Sequence, residues 1–508
     1  MKRTKSKKSA FAAVISAILI FLGVLCFFSA VWYINVYGKV GFDAILYTLF
    51  SNIGGAETSL VYGYLLYAAL PAVIVTATLS AIILFNWKRR IFATVPSGRK
   101  IRVFPLPRAA AVTVSLLLSL VLIVFAAGEV DLFDYIKHSA VRSSTFIEDN
   151  YVSPEKVKIT FPEKKQNLIF IYLESMETSF LSADYHGGND VNPMSELCAL
   201  AQENLNFSHN ETVGGFYSPG GTEWTVGAMV AMNAGIPLKL PIGIDANNYG
   251  VDSFLPGTAT ISDILHENGY YQAFMCGSES AFGGRKQFFE CHKTDDVFDL
   301  NTAKEDGIVP EDYKVWWGME DLHLFEYAKL KLTEISKGDK PFAFSMLTVD
   351  THHVGGYVCS KCENKFPTQY ENVLACSSRQ TYEFVNWIKK QSFYENTTII
   401  LCGDHPTMDG DFVANNLPED YERRVYNCFI NARATTGNSK NRVFTSIDMF
   451  PTILAAIGCQ IKGDRLGLGV NLFSDTPTLS ESMTAEKFKE ELSAKSNFYD
   501  YKLLRRTS

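Results

Sequence analysis

"NLIFIYLES" (Asn167–Ser175) decides the fold. After Asn167, its next six residues, Leu168–Leu173, form an unbroken apolar run with no polar alternation. Such a run reads as a strand buried on both faces, the kind found in a parallel sheet covered by helices. Three more runs repeat the pattern: "YYQAFMC" (Tyr270–Cys276), "PFAFSMLTV" (Pro341–Val349) and "TTIILCG" (Thr397–Gly403). Helical stretches separate them, Thr260–Asn268 and Arg379–Gln391 among them. Strands alternating with helices predict an α/β domain with a mostly parallel central sheet.

Ligands of such sheets gather beyond the carboxyl ends of the strands. The residues just beyond each run are therefore informative. Glu174 comes after the first, Asp350, Thr351, His352 and His353 after the third, and Asp404 and His405 after the fourth. The loop after the second carries Arg285. Each residue also has an ordinary reading: a helix-capping acid, a turn, an exposed loop histidine. Two carboxylates and an imidazole gathered at one sheet edge predict a divalent metal site, suited to Mn²⁺, Zn²⁺ or Fe²⁺. Three protein ligands leave one position for a reacting oxygen.

"GGFYSPGGTEWTVGAMVAMNAGIPL" (Gly214–Leu238) offers that oxygen. A glycine-rich loop leads through Thr222 into an apolar helix. At the helix start a hydroxyl meets free N–H groups and a positive dipole end, which suits attack on a phosphate. Thr222 is the expected nucleophile and a further metal contact. Its alternative role is a plain helix cap worth about 1 kcal/mol.

Upstream, three hydrophobic runs reach the roughly 20 residues that cross a bilayer, at about 11–32, 60–85 and 106–127. Residues 1–128 hold 13 Lys and Arg against two acids, Asp43 and Glu57; the remainder holds 34 against 52. Basic residues crowd residues 1–8 and the stretch from Lys88 to Arg108, whereas 33–59 carries only Lys39. The positive-inside rule then predicts a multi-pass protein of the plasma (inner) membrane, with everything after residue 128 extracytoplasmic. Phe42–Gly55 is too short to cross and reads either as an interfacial helix or as an ordinary loop helix. The acidic outer part excludes nucleic acid as a partner. Four segments result: a membrane anchor (1–128), a linker (129–165), a catalytic domain (166–475) and a peripheral helix with a tail (476–508).

Of ten cysteines, Cys26 lies in the first span. Outside the membrane disulfides persist. A Cys362–Cys376 staple is expected in "CSKCENKFPTQYENVLAC" (Cys359–Cys376), with Cys359 as the competing partner. The stretch offers no fourth zinc ligand. Cys276 and Cys291 are a second candidate pair, and Cys402 reads as a free core thiol.

"NLIFIYLES", "GGTEWTVGAMVAMNAGIPL", "LTVDTHH", "GDHPTM" and "SIDMFPTILAAIGCQIKGDRLGLGVNLF" resemble blocks of the membrane phosphoglycerol transferases, which modify periplasmic glucans, and of their relatives the lipoteichoic acid synthases. The resemblance covers most of 166–475. It implies an alkaline-phosphatase/sulfatase-like fold and a metal, Mn²⁺ in the first place with Zn²⁺ or Mg²⁺ as alternatives. It places that metal on Glu174, Thr222, Asp404 and His405, with Thr222 as nucleophile and with His352, Arg285 and neighbouring His353 binding substrate. It further implies transfer of the glycerophosphate head group of phosphatidylglycerol, through a glycerophospho-threonine, to a glycan, glycolipid or teichoic acid hydroxyl. Gly283 stands where lipoteichoic acid synthases carry a tryptophan, and "GTEWT" sits closer to the glucan-modifying branch. No C/S-x-P-x-R stretch surrounds Thr222, which argues against sulfate-ester hydrolysis. The alternatives are a phosphoethanolamine transferase or phosphodiesterase of the same superfamily, and an inactive membrane-anchored binding protein.

Overall fold

The computed structural model describes residues 2–38, 41–50, 58–84, 91–94, 96–104, 106, 108–240 and 253–505. The chain forms two compact units, one of Met1–Val40 with Glu57–Asp134, the other of Gly41–Ala56 with Tyr135–Ser508. Lys39, Lys88, Arg89 and Arg90 of the orientation argument lie outside the described residues, as do residues 51–55, 85 and 107 of the predicted apolar segments.

In the first unit three helices are long and apolar enough to cross a membrane, at Ala13–Tyr37, Leu60–Ile82 and Ala109–Glu129. They match the three predicted spans. The first and third meet closely: a Cβ on Gly23 would stand 2.6 Å from the Ser119 Cα. Small residues at a crossing let backbones approach where lipid offers no hydrophobic drive. In the second span Leu65–Ala69 forms a π-helical turn before the α-helix resumes at Leu70. Pro71 has no N–H to donate to the preceding turn, and the wider turn accommodates it.

The second unit is built on a seven-stranded sheet. Its strands are β1 (Asn167–Leu173), β2 (Gly215–Phe216), β3 (Tyr271–Cys276), β4 (Asp296–Phe298), β5 (Phe342–Leu347), β6 (Thr397–Gly403) and β7 (Val425–Ile430), in spatial order β2-β7-β6-β1-β5-β3-β4. The four predicted strands are the four central ones, all mutually parallel, with β1 between β5 and β6. Every residue of β1 and β6 is buried, as unbroken apolar runs require. β7 and β2 close one edge antiparallel. The long helix Gln369–Ile388 starts ten residues before the predicted stretch, behind a Thr368–Glu371 capping box.

The segments flanking the sheet are ordered. Within 129–165 stand the short helix Phe146–Asn150 and a strand at Ile159–Thr160 paired with Gln460–Ile461. Within 476–508 the helix Ala485–Ser493 leads to fully buried Tyr499. Its hydroxyl donates to the Pro237 carbonyl at 2.9 Å and accepts from the Lys239 N–H at 2.9 Å, bracing the chain just after the Thr225–Ala234 helix. Phe42–Phe50 is helical and belongs to this unit; its buried Tyr47 packs 6.0 Å from the Trp224 ring and donates to the Gly283 carbonyl. All ten cysteines are free thiols, which corrects both expected bridges: neither Cys276–Cys291 nor Cys362–Cys376 is bonded. Cys402 is a buried free thiol, as expected.

Candidate active site

Strand order turns four distant sequence blocks into one edge. Neighbours β6, β1, β5 and β3 end, in that order, at Asp404–His405, Glu174, the His352–His353 loop and the Arg285 loop. The ligand atoms of Glu174, Asp404 and His405 all lie within 4.8 Å of one another, and all three residues are buried. His405 Nε2 is 3.3 Å from Asp404 Oδ2 and 3.5 Å from Glu174 Oε1.

Local hydrogen bonds fix each group. Ser175 takes a left-handed backbone, φ 55°, and this tight turn points its N–H at Asp404 Oδ1 (2.8 Å) and its hydroxyl at Glu174 Oε1 (2.8 Å). The His405 N–H also donates to Asp404 Oδ1, at 2.8 Å. His405 Nδ1 donates to the Pro406 carbonyl at 2.9 Å, which sets the tautomer and leaves the Nε2 lone pair facing the carboxylates. The Thr351 hydroxyl donates to the Glu174 carbonyl, tying β1 to the β5 loop.

Charge is unbalanced here. Burial, with the Glu174 charge behind it, pushes the Asp404 carboxyl up to about 7. Burial also works against the Glu174 carboxylate, but the His405 and His352 imidazoles and the Ser175 hydrogen bond outweigh it and hold it below its usual range. Burial opposes a charged His405, yet Asp404 and Glu174 raise it. Asp404 Oδ2 is buried with no hydrogen-bond partner among the described residues. An orphaned carboxylate oxygen beside a second carboxylate and an oriented imidazole fits a divalent cation.

Thr222 is not in this cluster. It is fully buried and its hydroxyl donates to the Pro219 carbonyl at 2.7 Å. Thr225 is there instead, with Oγ1 3.4 Å from Glu174 Oε2 and 3.3 Å from His405 Nε2. The helix begins at Thr225 after extended Trp224, so the hydroxyl at its mouth is three residues beyond the expected one. The loop explains the shift. Gly221 has φ +83°, and a Cβ on it would lie 2.9 Å from the Leu238 carbonyl oxygen, so the chain still folds back on itself at 222. At the far end Gly235, φ 66°, caps the helix in the left-handed region. One signal was legible: apolar residues run unbroken only from Val226, which marks Thr225 as the first helical residue.

His352 and Arg285 flank the cluster. Burial lowers the His352 pKa, against the pull of Glu174 and with the help of His405 and Arg285. The His352 ring lies 4.6 Å from the Trp317 ring and stacks at 4.3 Å on buried His353, which burial keeps neutral. Buried Arg285 donates from Nη2 to Ser278 Oγ and the Glu279 carbonyl, both at 2.9 Å, and from Nε to the Phe282 carbonyl at 3.1 Å. Trp317, 5.4 Å from the Phe282 ring, forms the aromatic wall between these two groups and was missed by sequence reasoning. It arrives on a loop with no strand periodicity to announce it.

Comparisons with known proteins bear on the fold and the family. A family model described as Sulfatase matches residues 166–459. Phosphoglycerol transferase I of Citrobacter koseri is 30% identical over 411 residues, covering 78% of this chain and 49% of that protein. The Escherichia coli (strain SMS-3-5 / SECEC) protein of the same name is 31% identical over 304 residues, 57% of this chain and 38% of its own. The chain thus spans half or less of the curated relatives it matches. Among solved structures, a protein in the alkaline phosphatase superfamily from Vibrio parahaemolyticus aligns at TM-score 0.51 and 21% identity, over 67% of this chain and 81% of that one. Lipooligosaccharide phosphoethanolamine transferase A from Neisseria meningitidis, an integral membrane protein, aligns at TM-score 0.52 and 13% identity, over 87% and 84%. These likenesses show the fold.

Proposed function

The chain belongs to the Sulfatase family, and from that premise we propose that it is a membrane-anchored, metal-dependent phosphoglycerol transferase with Thr225 as its nucleophile. The observation that carries the proposal is the Thr225 hydroxyl at a helix start, 3.4 Å from Glu174 and 3.3 Å from His405. The curated relatives are named for this transfer. A hydroxyl nucleophile in place of a formylglycine precursor separates the chain from sulfate-ester hydrolysis. The three apolar helices and the basic flanks of the first unit support a plasma membrane location with the second unit outside, beside the phosphatidylglycerol of the outer leaflet.

Glu174, Asp404 and His405 would hold a divalent cation, Mn²⁺ in the first place, and when bound it would supply a Lewis acid that lowers the pKa of a neighbouring hydroxyl. Thr225 Oγ1 bonds to phosphorus as the bond to the diacylglycerol oxygen breaks, and the proton that threonine loses is the one diacylglycerol gains. Arg285 and His352 bind the phosphoryl oxygens on which charge accumulates. His353 stacks on His352 and holds its ring in place. An acceptor hydroxyl, from a glycan, glycolipid or teichoic acid, then displaces Thr225 from phosphorus and its proton returns to the threonine. A two-step route keeps the reactive head group bound while lipid leaves and acceptor enters.

Full-length protein in vesicles containing phosphatidylglycerol and Mn²⁺ tests this. Diacylglycerol release, with a glycerophosphate adduct on the Thr225 peptide when acceptor is withheld, is the expected result. Release only from phosphatidylethanolamine assigns the phosphoethanolamine transferase reaction instead. Free glycerophosphate without any adduct assigns a phosphodiesterase. No release with any divalent metal assigns a binding protein.

A further inference from the structure

On the far side of the β5 loop stands a second cluster of metal-binding atoms that this chemistry does not use. Cys359 and Cys362 lie in the loop that carries His352 and His353, and Cys376 lies in the second turn of the Gln369–Ile388 helix. The Cys359 Sγ is 3.8 Å from that of Cys362 and 3.7 Å from that of Cys376, and the three sulfurs all lie within 4.8 Å of one another. A disulfide brings two sulfurs to about 2.05 Å. A tetrahedral zinc with Zn–S bonds of about 2.3 Å instead sets its sulfurs about 3.8 Å apart. The two separations recorded here are those of the edges of such a tetrahedron.

The surroundings supply what thiolates need. Buried Gln380 points its amide N–H at Cys376 Sγ (3.5 Å) and Cys359 Sγ (3.8 Å). Arg379 Nη2 is 3.8 Å from Cys376 Sγ and donates to the Lys361 carbonyl at 2.6 Å. Donors aimed at sulfur, one of them a guanidinium, offset the single net negative charge that three thiolates leave on a divalent ion. The Cys-x-x-Cys turn is closed by the Cys362 N–H donating to the Cys359 carbonyl at 3.0 Å. Cys359 and Cys376 are buried, and Cys362 forms the more open rim.

We propose that Cys359, Cys362 and Cys376 form a structural zinc site that clips the histidine-bearing loop to the Gln369–Ile388 helix. Among the described residues no fourth His, Cys, Asp or Glu joins the group, so water or another small donor completes the tetrahedron. Binding releases three thiol protons to solvent and transfers no electrons. The clip adds to the hydrogen bonds that already hold this loop, among them Gly355 N–H to Asp409 Oδ2 at 2.7 Å, Tyr357 N–H to the Asp350 carbonyl at 2.7 Å and Gln369 Nε2 to the Gly355 carbonyl at 3.0 Å. It is independent of the transferase reading, because no catalytic group belongs to it.

The test uses full-length protein in detergent, exchanged into buffer without free metal. Elemental analysis should find about one more zinc per chain in the wild type than in Cys362→Ser, while Glu174→Gln keeps that zinc. Loading wild-type protein with Co²⁺ should give thiolate-to-metal charge-transfer absorption. Cys362→Ser should lose that absorption and Glu174→Gln keep it. The Co²⁺ measurement needs no variant and stands if Cys362→Ser fails to fold. Equal zinc in wild type and Cys362→Ser, absence of charge transfer in the wild type, or a disulfide among the three cysteines in the non-reduced protein would overturn the proposal.

Discussion

Two parts of the candidate site are held in different ways. Glu174, Asp404 and His405 sit one or two residues beyond central strands whose registers are fixed by ladders on both sides. Thr225 and Arg285 sit at helix starts fed by glycine-bearing loops and are held by scattered side-chain bonds. The strand-borne groups share one buried, charged cluster. The loop-borne groups approach it from outside and supply the hydroxyl and the guanidinium. The groups suited to a metal are thus placed by strand ladders, and those suited to substrate by helix starts and the loops that feed them.

The most severe test of this division is to remove the loop-borne hydroxyl and its near neighbour in turn. Thr225→Ala should reduce transfer on the order of 10⁴-fold or more, with the fold intact by circular dichroism. Thr225→Ser should keep measurable activity, because the hydroxyl survives. Thr222→Ala should keep turnover within a few-fold and cost about 1–3 kcal/mol, because only the buried bond to Pro219 is lost. If Thr222→Ala abolishes transfer while Thr225→Ala does not, the nucleophile is the other threonine and the loop must rearrange on binding.

The same division explains what could be read from the chain. A strand end is a position in space as well as in sequence, so unbroken apolar runs such as 167–173 and 397–403 placed Glu174, Asp404 and His405 at one edge. Within the Gly214–Leu238 loop, position depends on where the helix starts and on one left-handed glycine, and the hydroxyl beside the strand edge is that of Thr225, three residues beyond Thr222. The antiparallel strand Val425–Ile430 and the wall at Trp317 were missed for related reasons. The first is set by pairing with distant β6. The second is a loop residue whose role appears only beside His352.

At the strand edge, Glu174→Gln should remove one of the two carboxylates while leaving the ladder untouched. Mn²⁺ affinity should fall by more than the 10–100-fold typical of an outer-shell partner. Isothermal titration of wild type and variant measures it. Unchanged affinity would place the cation elsewhere and break the claim that the strand-borne groups hold it.

A smaller effect is expected where a side chain holds a loop. Asp299 accepts from Ser280 N–H and hydroxyl, at 3.0 and 2.6 Å, and caps the next helix through the Asn301 and Thr302 N–H groups. It thus fixes the loop from which Ser278 and Glu279 orient Arg285. Asp299→Ala should cost about 1–2 kcal/mol in stability. KM for the lipid should rise up to about tenfold, the equivalent of 1.4 kcal/mol, with a smaller change in kcat. A fall in kcat at constant KM would mean that the loop acts on the chemical step.

The smallest expected effect is a pH dependence at the other end of the arginine helix. Asp263 Oδ2 is 2.7 Å from His292 Nδ1, just past the Arg285–Cys291 helix, and His292 Nε2 is 2.9 Å from the Phe254 carbonyl. Burial pushes the Asp263 carboxyl up, but the His292 hydrogen bond and charge and the Thr260 hydrogen bonds more than offset this, so its folded pKa is depressed. For a depressed carboxyl, the folded protein binds fewer protons than the unfolded one. Its contribution is therefore complete above the unfolded value of about 3.9 and is lost as pH falls through the lower folded value. Asp263→Asn should cost about 1 kcal/mol in urea unfolding at pH 7, where the carboxylate is charged. The cost should shrink as the wild-type carboxyl takes up its proton in acid, until the two proteins unfold alike. The metal-suited edge has no part in this tether, so the acid sensitivity that Asp263→Asn removes belongs to the His292 tether and to the Thr260 cap of Asp263's own helix. A penalty that stays constant down to acid pH would show that Asp263 holds the loop as a neutral hydrogen-bond acceptor. The contrast between a strand-held charged edge and a charge-tethered loop would then fail at this point.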